Sequence, residues 1–151
     1  MSSWPTGRIW ACPAKSDGGE AIPGDDLRAE NGAVTLNVKV QCPNWFDVNR
    51  VQVFLNGRAA SSMNYNRRNA AGKFGTGAVK FDQHLALKLD SDTHIIVATI
   101  GENLTLGPVM GPRHGDDVPA ALSNPIFVDV DGGGFQPNQD LLGMPLPYKK
   151  D

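Results

Sequence analysis

Residues 33–41 read AVTLNVKVQ. Val34, Leu36, Val38 and Val40 fall on one parity, and Thr35, Asn37 and Lys39 on the other. A β-strand turns successive side chains to opposite faces, so this two-residue period describes a strand with one face buried. Pro43 ends it. The alternation recurs downstream. In RVQVFLNG, residues 50–57, Val51, Val53 and Leu55 turn inward, and Asn56-Gly57 closes a tight hairpin. A return strand is expected over 58–65 and a loop over 66–77. In VKFDQHLALKL, residues 79–89, Val79, Phe81, Leu85, Leu87 and Leu89 share one parity. THIIVATIG is apolar on both parities from Ile95 to Ile100, as in a central strand covered on both faces. NPIFVDVD supplies a last strand from Ile126 to Val130.

Upstream, residues 1–30 are rich in Gly, Pro and Asp and read as irregular chain with one edge strand near 7–12. Neither a helical period nor an internal repeat is visible. The pattern predicts an all-β fold, an antiparallel immunoglobulin-like β-sandwich of about seven strands with long irregular loops. Trp45, just ahead of the 50–55 strand, is expected to plug its core. A single domain is expected: an irregular segment 1–30, a sandwich core 31–130, and an acidic loop and tail 131–151.

One stretch does not fit a minimal sandwich. Residues 104–124, LTLGPVMGPRHGDDVPAALSN, carry three prolines and three glycines. Loops this long are functional, disordered or misassigned. Their Leu104, Leu106, Val109, Met110 and Val118 predict an ordered excursion whose surface meets another domain. Packing back on its own sandwich is the alternative.

At 151 residues the chain can bury about two thirds of its unfolded surface in one core. Its formal charge of −2 gives no electrostatic footprint for nucleic acid or an acidic membrane. Arg67, Arg68 and Lys73 sit among Asn, Ala and Gly and read as a solvated basic loop. No apolar run approaches the roughly 20 residues that span a bilayer. The start, MSSWPTGRIWACP, lacks the charged and apolar regions of a secretion signal. That suits either a cytoplasmic protein or a piece of a longer one. Cys12 and Cys42 are two thiols or, in an exported protein, a disulfide. Their spacing does not suit zinc.

Catalytic patterns are scarce. The three histidines show no HxH or HExxH spacing, and GxSxG, the phosphate-binding GK[ST] and the dinucleotide fingerprint do not occur. His84 reads as solvated. His94 follows Asp92 and reads as a strand-end hydrogen bonder. His114 is the most suggestive, because Arg113, Asp116 and Asp117 flank it and could build an anion or metal site.

Residues 129–140, DVDGGGFQPNQD, have the length of a calcium loop. Asp129, Asp131 and Asp140 take positions one, three and twelve, Gly134 takes the sixth, and Phe135 offers its backbone carbonyl at the seventh. Calcium takes six to eight oxygens, which alternating side chains, a carbonyl and a closing carboxylate supply. Gly133 leaves the fifth position without a side-chain oxygen, and Asp140 is shorter than the usual glutamate. Any site is therefore expected to be weak, about 10⁻⁴–10⁻³ M. The other reading is a solvated turn.

The blocks VQVFLNGR, VKFDQHLALKLD, THIIVATIGE, TLGPVMGP and NPIFVDVDGGGFQPNQDLLG together resemble the C-terminal region of CehA/McbA-type metallohydrolases. These are bacterial members of the PHP superfamily, and the similarity spans residues 33–147. In that family the metal-binding histidines and aspartates lie in an N-terminal catalytic domain. None of those motifs occurs here, so no catalytic residue carries over. The resemblance implies a non-catalytic sandwich attached to a PHP-type hydrolase domain of the same parent chain, and an exported parent. The expected function is thus an accessory domain with a weak structural calcium site. The alternative is an independent carbohydrate-binding-like module, for which Phe54, on the outward parity, and Tyr65, placed in a loop, are the candidate aromatics.

Overall fold

The computed structural model describes residues 13–143 and the backbone of residues 8–10. Among the described residues eleven strands form two sheets: β1 (Arg8–Trp10), β2 (Ala14–Ser16), β3 (Gly19–Ala21), β4 (Asp26–Arg28), β5 (Ala33–Gln41), β6 (Arg50–Leu55), β7 (Arg58–Asn66), β8 (Val79–Lys88), β9 (Thr93–Ile100), β10 (Ala120–Leu122) and β11 (Ile126–Asp129). In the first sheet β5 is central. β8 pairs along one side of it, β1 and β2 share the other, and β3 follows β2. The second sheet runs β4-β11-β9-β6-β7, with β10 paired to β9 in line with β11. Every pair is antiparallel except β4 with β11, which is parallel. Among the described residues no helix is long and apolar enough to cross a membrane.

All seven expected strands form, and four short ones join them. Residues 1–30 are therefore not simply irregular. β2, β3 and β4 lie among them, and Ala14, Ala21, Leu27 and Ala29 are buried. Three-residue strands are too short to show a period, which explains the miss.

The core lies between the sheets. Val34, Leu36, Val38, Val40, Phe81 and Leu85 come from one sheet, and Val51, Val53, Ile95, Val97, Ile126 and Val128 from the other. Phe81 anchors an aromatic cluster, with the Phe74 and Tyr65 rings 5.2 and 5.5 Å from its own. Trp45 does not plug the core. It is 37% exposed and stands edge-on to Phe46 at 4.8 Å, while Phe46 is the buried ring. On β9, Ile95 and Val97 are buried, whereas Ile96 and Ile100 on the outer face are only half covered. Full cover on both faces was expected and is not found.

Asn56 and Gly57 both have positive φ, 50° and 78°, as a two-residue hairpin turn requires. Beyond that turn β7 bulges. Its register with β6 passes from Gln52 opposite Asn64 to Phe54 opposite Ala59, which puts residues 60–63 out of step with β6. The buried Gln52 amide fills the bulge, donating to the carbonyls of Val53 at 2.8 Å and Ala60 at 3.0 Å. β7 is an edge strand, and a bulge there discourages pairing with another chain.

The 104–124 excursion is ordered. It contains a 3₁₀ turn (Pro108–Met110), a single helical turn α1 (Gly111–His114) and β10. Backbone bonds from Leu106 to Asp117 and from Gly107 to Gly115 fold it on itself, and Gly101 to Pro119 ties it to the end of β9. Val109 and Val118 remain 68% and 50% exposed.

Candidate functional site

The antiparallel pairing of β9 with β11 sets Thr93 opposite Val128. The next residue outward on each strand is an aspartate, Asp92 and Asp129. With Asp131 they form a cluster in which one carboxylate oxygen from each lies within 4.8 Å of the others. Among the described residues this is the one such group of three or more His, Cys, Asp or Glu.

Backbone N–H groups orient all three carboxylates. Asp129 Oδ1 accepts from Gly132 at 2.7 Å and its Oδ2 from Gly134 at 3.0 Å. Asp131 Oδ1 accepts from Gly133 at 2.8 Å. Asp92 accepts from Val130 at 2.8 Å and from Gln136 at 2.7 Å, binding the loop to the turn between β8 and β9. Gly132 and Gly134, with φ of 80° and 89°, permit this wrapping. The Phe135 ring closes over the outer face of the sheet, 5.0 Å from Phe127 and 6.5 Å from His94.

Desolvation acts to raise the Asp129 pKa. The donors from Gly132 and Gly134, the Arg28 guanidinium and the Asp131 side chain outweigh it and hold Asp129 below the usual carboxylate range. Asp129 is therefore preset as an anion. The oxygens of all three carboxylates are also already solvated by amides, and Arg28 supplies a local positive charge. Three carboxylates can anchor a hard cation, but carbonyls and water must complete the shell that calcium needs.

The twelve-residue template puts Asp140 at its closing position. In the structure Asp140 forms a two-point ion pair with Arg58, at 2.5 Å to Nε and 2.9 Å to Nη2, and does not join the cluster. The third carboxylate beside Asp129 and Asp131 is that of Asp92. The Asp92 carboxylate accepts from the Val130 and Gln136 N–H groups. The His94 backbone N–H donates to the Asn56 side-chain oxygen at 3.0 Å.

Of the residues flanking His114, the structure brings Asp117 to its ring. His114 Nδ1 lies 2.8 Å from Asp117 Oδ2, one helical turn on, while Arg113 and Asp116 are exposed. His84 bonds the Asn37 side chain on the surface. Cys42 is a free thiol that bonds the Phe46 carbonyl, and burial raises its pKa despite nearby Lys80. A buried thiol of raised pKa is a poor nucleophile. Cys12 lies outside the described residues, as does the tail from residue 144 onward. Tyr65 belongs to β7 rather than to a loop and packs on Phe81, so it offers no open platform for a sugar ring.

Phe54, by contrast, does line a groove. On the outer face of the second sheet, Phe54, Ala98, Ile100, Ala121 and Leu122 bound an apolar groove of about 430 Å³. Leu122, on β10, is 72% exposed. No protein-family model matches the chain, and neither a curated protein nor a solved structure gives a significant match.

Proposed function

We propose that this chain is a non-catalytic accessory domain, an immunoglobulin-like sandwich that docks on a catalytic domain of its own parent chain through the 104–124 excursion. The observation that carries this reading is the apolar groove. The excursion's own strand β10 forms one wall, and the outer face of β6 and β9 forms the other. Leu122, Val109 and Val118 extend exposed apolar surface along the same segment. An apolar groove open to water marks an interaction site, because leaving it uncovered is costly. The resemblance of the strand blocks to CehA/McbA-type metallohydrolases supports a PHP-type hydrolase domain as the partner, in an exported parent. The scatter of the three histidines and the inert Cys42 are consistent with chemistry supplied elsewhere.

The acidic cluster takes a structural role in this reading. Asp92, Asp129 and Asp131 would hold a weakly bound calcium ion that fastens the 129–136 loop to the β8–β9 turn.

Mixing this chain with the separately expressed remainder of its parent tests the docking. Sedimentation should show a one-to-one complex, lost in Leu122→Glu and Val109→Glu variants that keep their thermal transitions. A complex indifferent to both substitutions would place the interface elsewhere. Hydrolysis of phosphate esters by the isolated chain with zinc or manganese, abolished by His114→Ala, would overturn the accessory role altogether.

A further inference from the structure

The pole of the sandwich opposite the acidic cluster is basic. Arg50 opens β6, Asn66 closes β7 with Arg67 and Arg68 beyond it, and Glu102 and Asn103 follow β9. These residues line one cleft of about 230 Å³. Sequence reading grouped Arg67 and Arg68 with Lys73 as a solvated loop, and the structure divides them. Lys73 lies over the Tyr65 ring and bonds Gln83, away from the cleft. Arg50, distant in sequence, takes its place.

The hydrogen-bond inventory of this cleft is unbalanced. Asn49 is engaged at both ends of its amide, which donates to the Glu102 carbonyl and accepts the Glu102 N–H. Asn66 Oδ1 accepts the N–H groups of Arg68 and Asn69, which leaves its amide donors. Arg67 Nη2 is held by Asp47 at 2.9 Å and by the Gly75 carbonyl at 3.0 Å. Arg50 Nη1 bonds Asn64, and its Nε lies 2.8 Å from Glu102. Yet Nε of both Arg50 and Arg67 is buried without an aligned hydrogen bond. The Arg68 side chain has no partner among the described residues. Donors therefore outnumber acceptors here.

Charge agrees with this inventory. Lys80 is also buried against Asp47, at 3.5 Å. Among the charged residues that line the cleft, Arg50, Arg67 and Arg68 outnumber Glu102, which leaves two positive charges locally in a chain of formal charge −2. Guanidinium forks match the planar or tetrahedral oxygens of carboxylate, sulfate and phosphate. The cleft is smaller than the roughly 300–1,000 Å³ sites that take drug-sized ligands.

We propose that the cleft between Arg50, Arg67 and Arg68 binds a compact oxyanion. It is carried either by a free inorganic anion or by the carboxylate of an acidic sugar. Arg68 is the specificity-determining residue, because it is the uncommitted one of the three arginines. The cleft shares Arg50 with the apolar groove, but its anion would bind without the groove's partner.

The test is a two-dimensional amide NMR titration at constant ionic strength, using sodium phosphate, sodium sulfate, galacturonate and neutral galactose. Saturable shifts confined to residues 49–50, 66–69 and 102–103 are expected with at least one anion and not with galactose. Phosphate or sulfate alone would identify an inorganic anion site, and galacturonate alone an acidic-sugar site. Arg68→Gln should weaken binding at least tenfold while its spectrum stays folded, and Arg50→Gln should weaken it too. Absence of saturable shifts up to 50 mM of every anion, or retention of affinity within twofold in Arg68→Gln, would overturn the proposal.

Discussion

Arg58 and Asp140, 82 residues apart, meet through two parallel hydrogen bonds that tie the end of the acidic loop to the β6–β7 hairpin. Leu142 continues the contact, since a Cβ at Gly57 would lie 2.8 Å from its Cδ1. The pair is exposed, so water and salt screen it and its effect on global stability is small. Its effect is local. Asp140→Ala should leave the thermal midpoint within error of wild type but speed proteolytic cleavage within residues 136–143. Raising salt should speed wild-type cleavage in the same way. Equal cleavage rates in variant and wild type would show that the ion pair does not hold this segment.

The same pair decides which residues a cation can use. In protein stripped with a chelator, calcium should raise the thermal midpoint, and a concentration near 100 times Kd should add about 2.7 kcal/mol. Asp92→Asn and Asp129→Asn should each abolish that gain, whereas Asp140→Asn should keep it. The reverse ranking would restore the twelve-residue loop geometry. A midpoint unmoved at millimolar calcium would leave the loop as an amide-stapled turn.

The long strands were legible because burial on one face imposes a two-residue period over eight or more residues, as in Ala33–Gln41. Asn56-Gly57 was legible because few residues tolerate two positive φ values in succession. Asp92 was not. Its place beside Asp129 comes from the register between β9 and β11, which no local pattern encodes. The basic cleft escaped for the same reason, since Arg50 reaches Arg67 and Arg68 only once β6 and β7 pair. Trp45 and Phe46 show a finer limit. Both are aromatic and adjacent, and only the chain direction after Pro43 decides which ring enters the core.

Acid should weaken the fold in a defined window. Against desolvation, the Gly132 and Gly134 N–H groups and Arg28 hold Asp129 below its ordinary range, and Asp140 is lowered as well, though its exposed pair acts locally. A group whose folded pKa lies under its unfolded one stabilises the protein above the unfolded value, about 3.9 for aspartate. It loses that contribution as pH falls through the folded value. The urea midpoint should therefore be flat between pH 7 and 5 on account of these groups and fall below about pH 4. Asp129→Asn should flatten part of the fall. An identical acid profile in that variant would assign the loss to other carboxylates.

Gln52 offers the sharpest test of how the second sheet is built. Its buried amide serves the Val53 and Ala60 carbonyls where β7 bulges away from β6, and it reaches the Met63 carbonyl at 3.5 Å. Gln52→Leu fits a side chain of similar length but leaves those carbonyls without their side-chain donor. Each buried group so orphaned costs about 1–3 kcal/mol. Chemical unfolding of Gln52→Leu should show a loss in that range or somewhat above it. Gln83→Leu, on the exposed edge, should fall within about 0.5 kcal/mol of wild type. If the two variants unfold at the same denaturant concentration, the bulge holds itself without Gln52. If Gln52→Leu also associates into dimers, the bulge is what keeps edge strand β7 from pairing with a second copy.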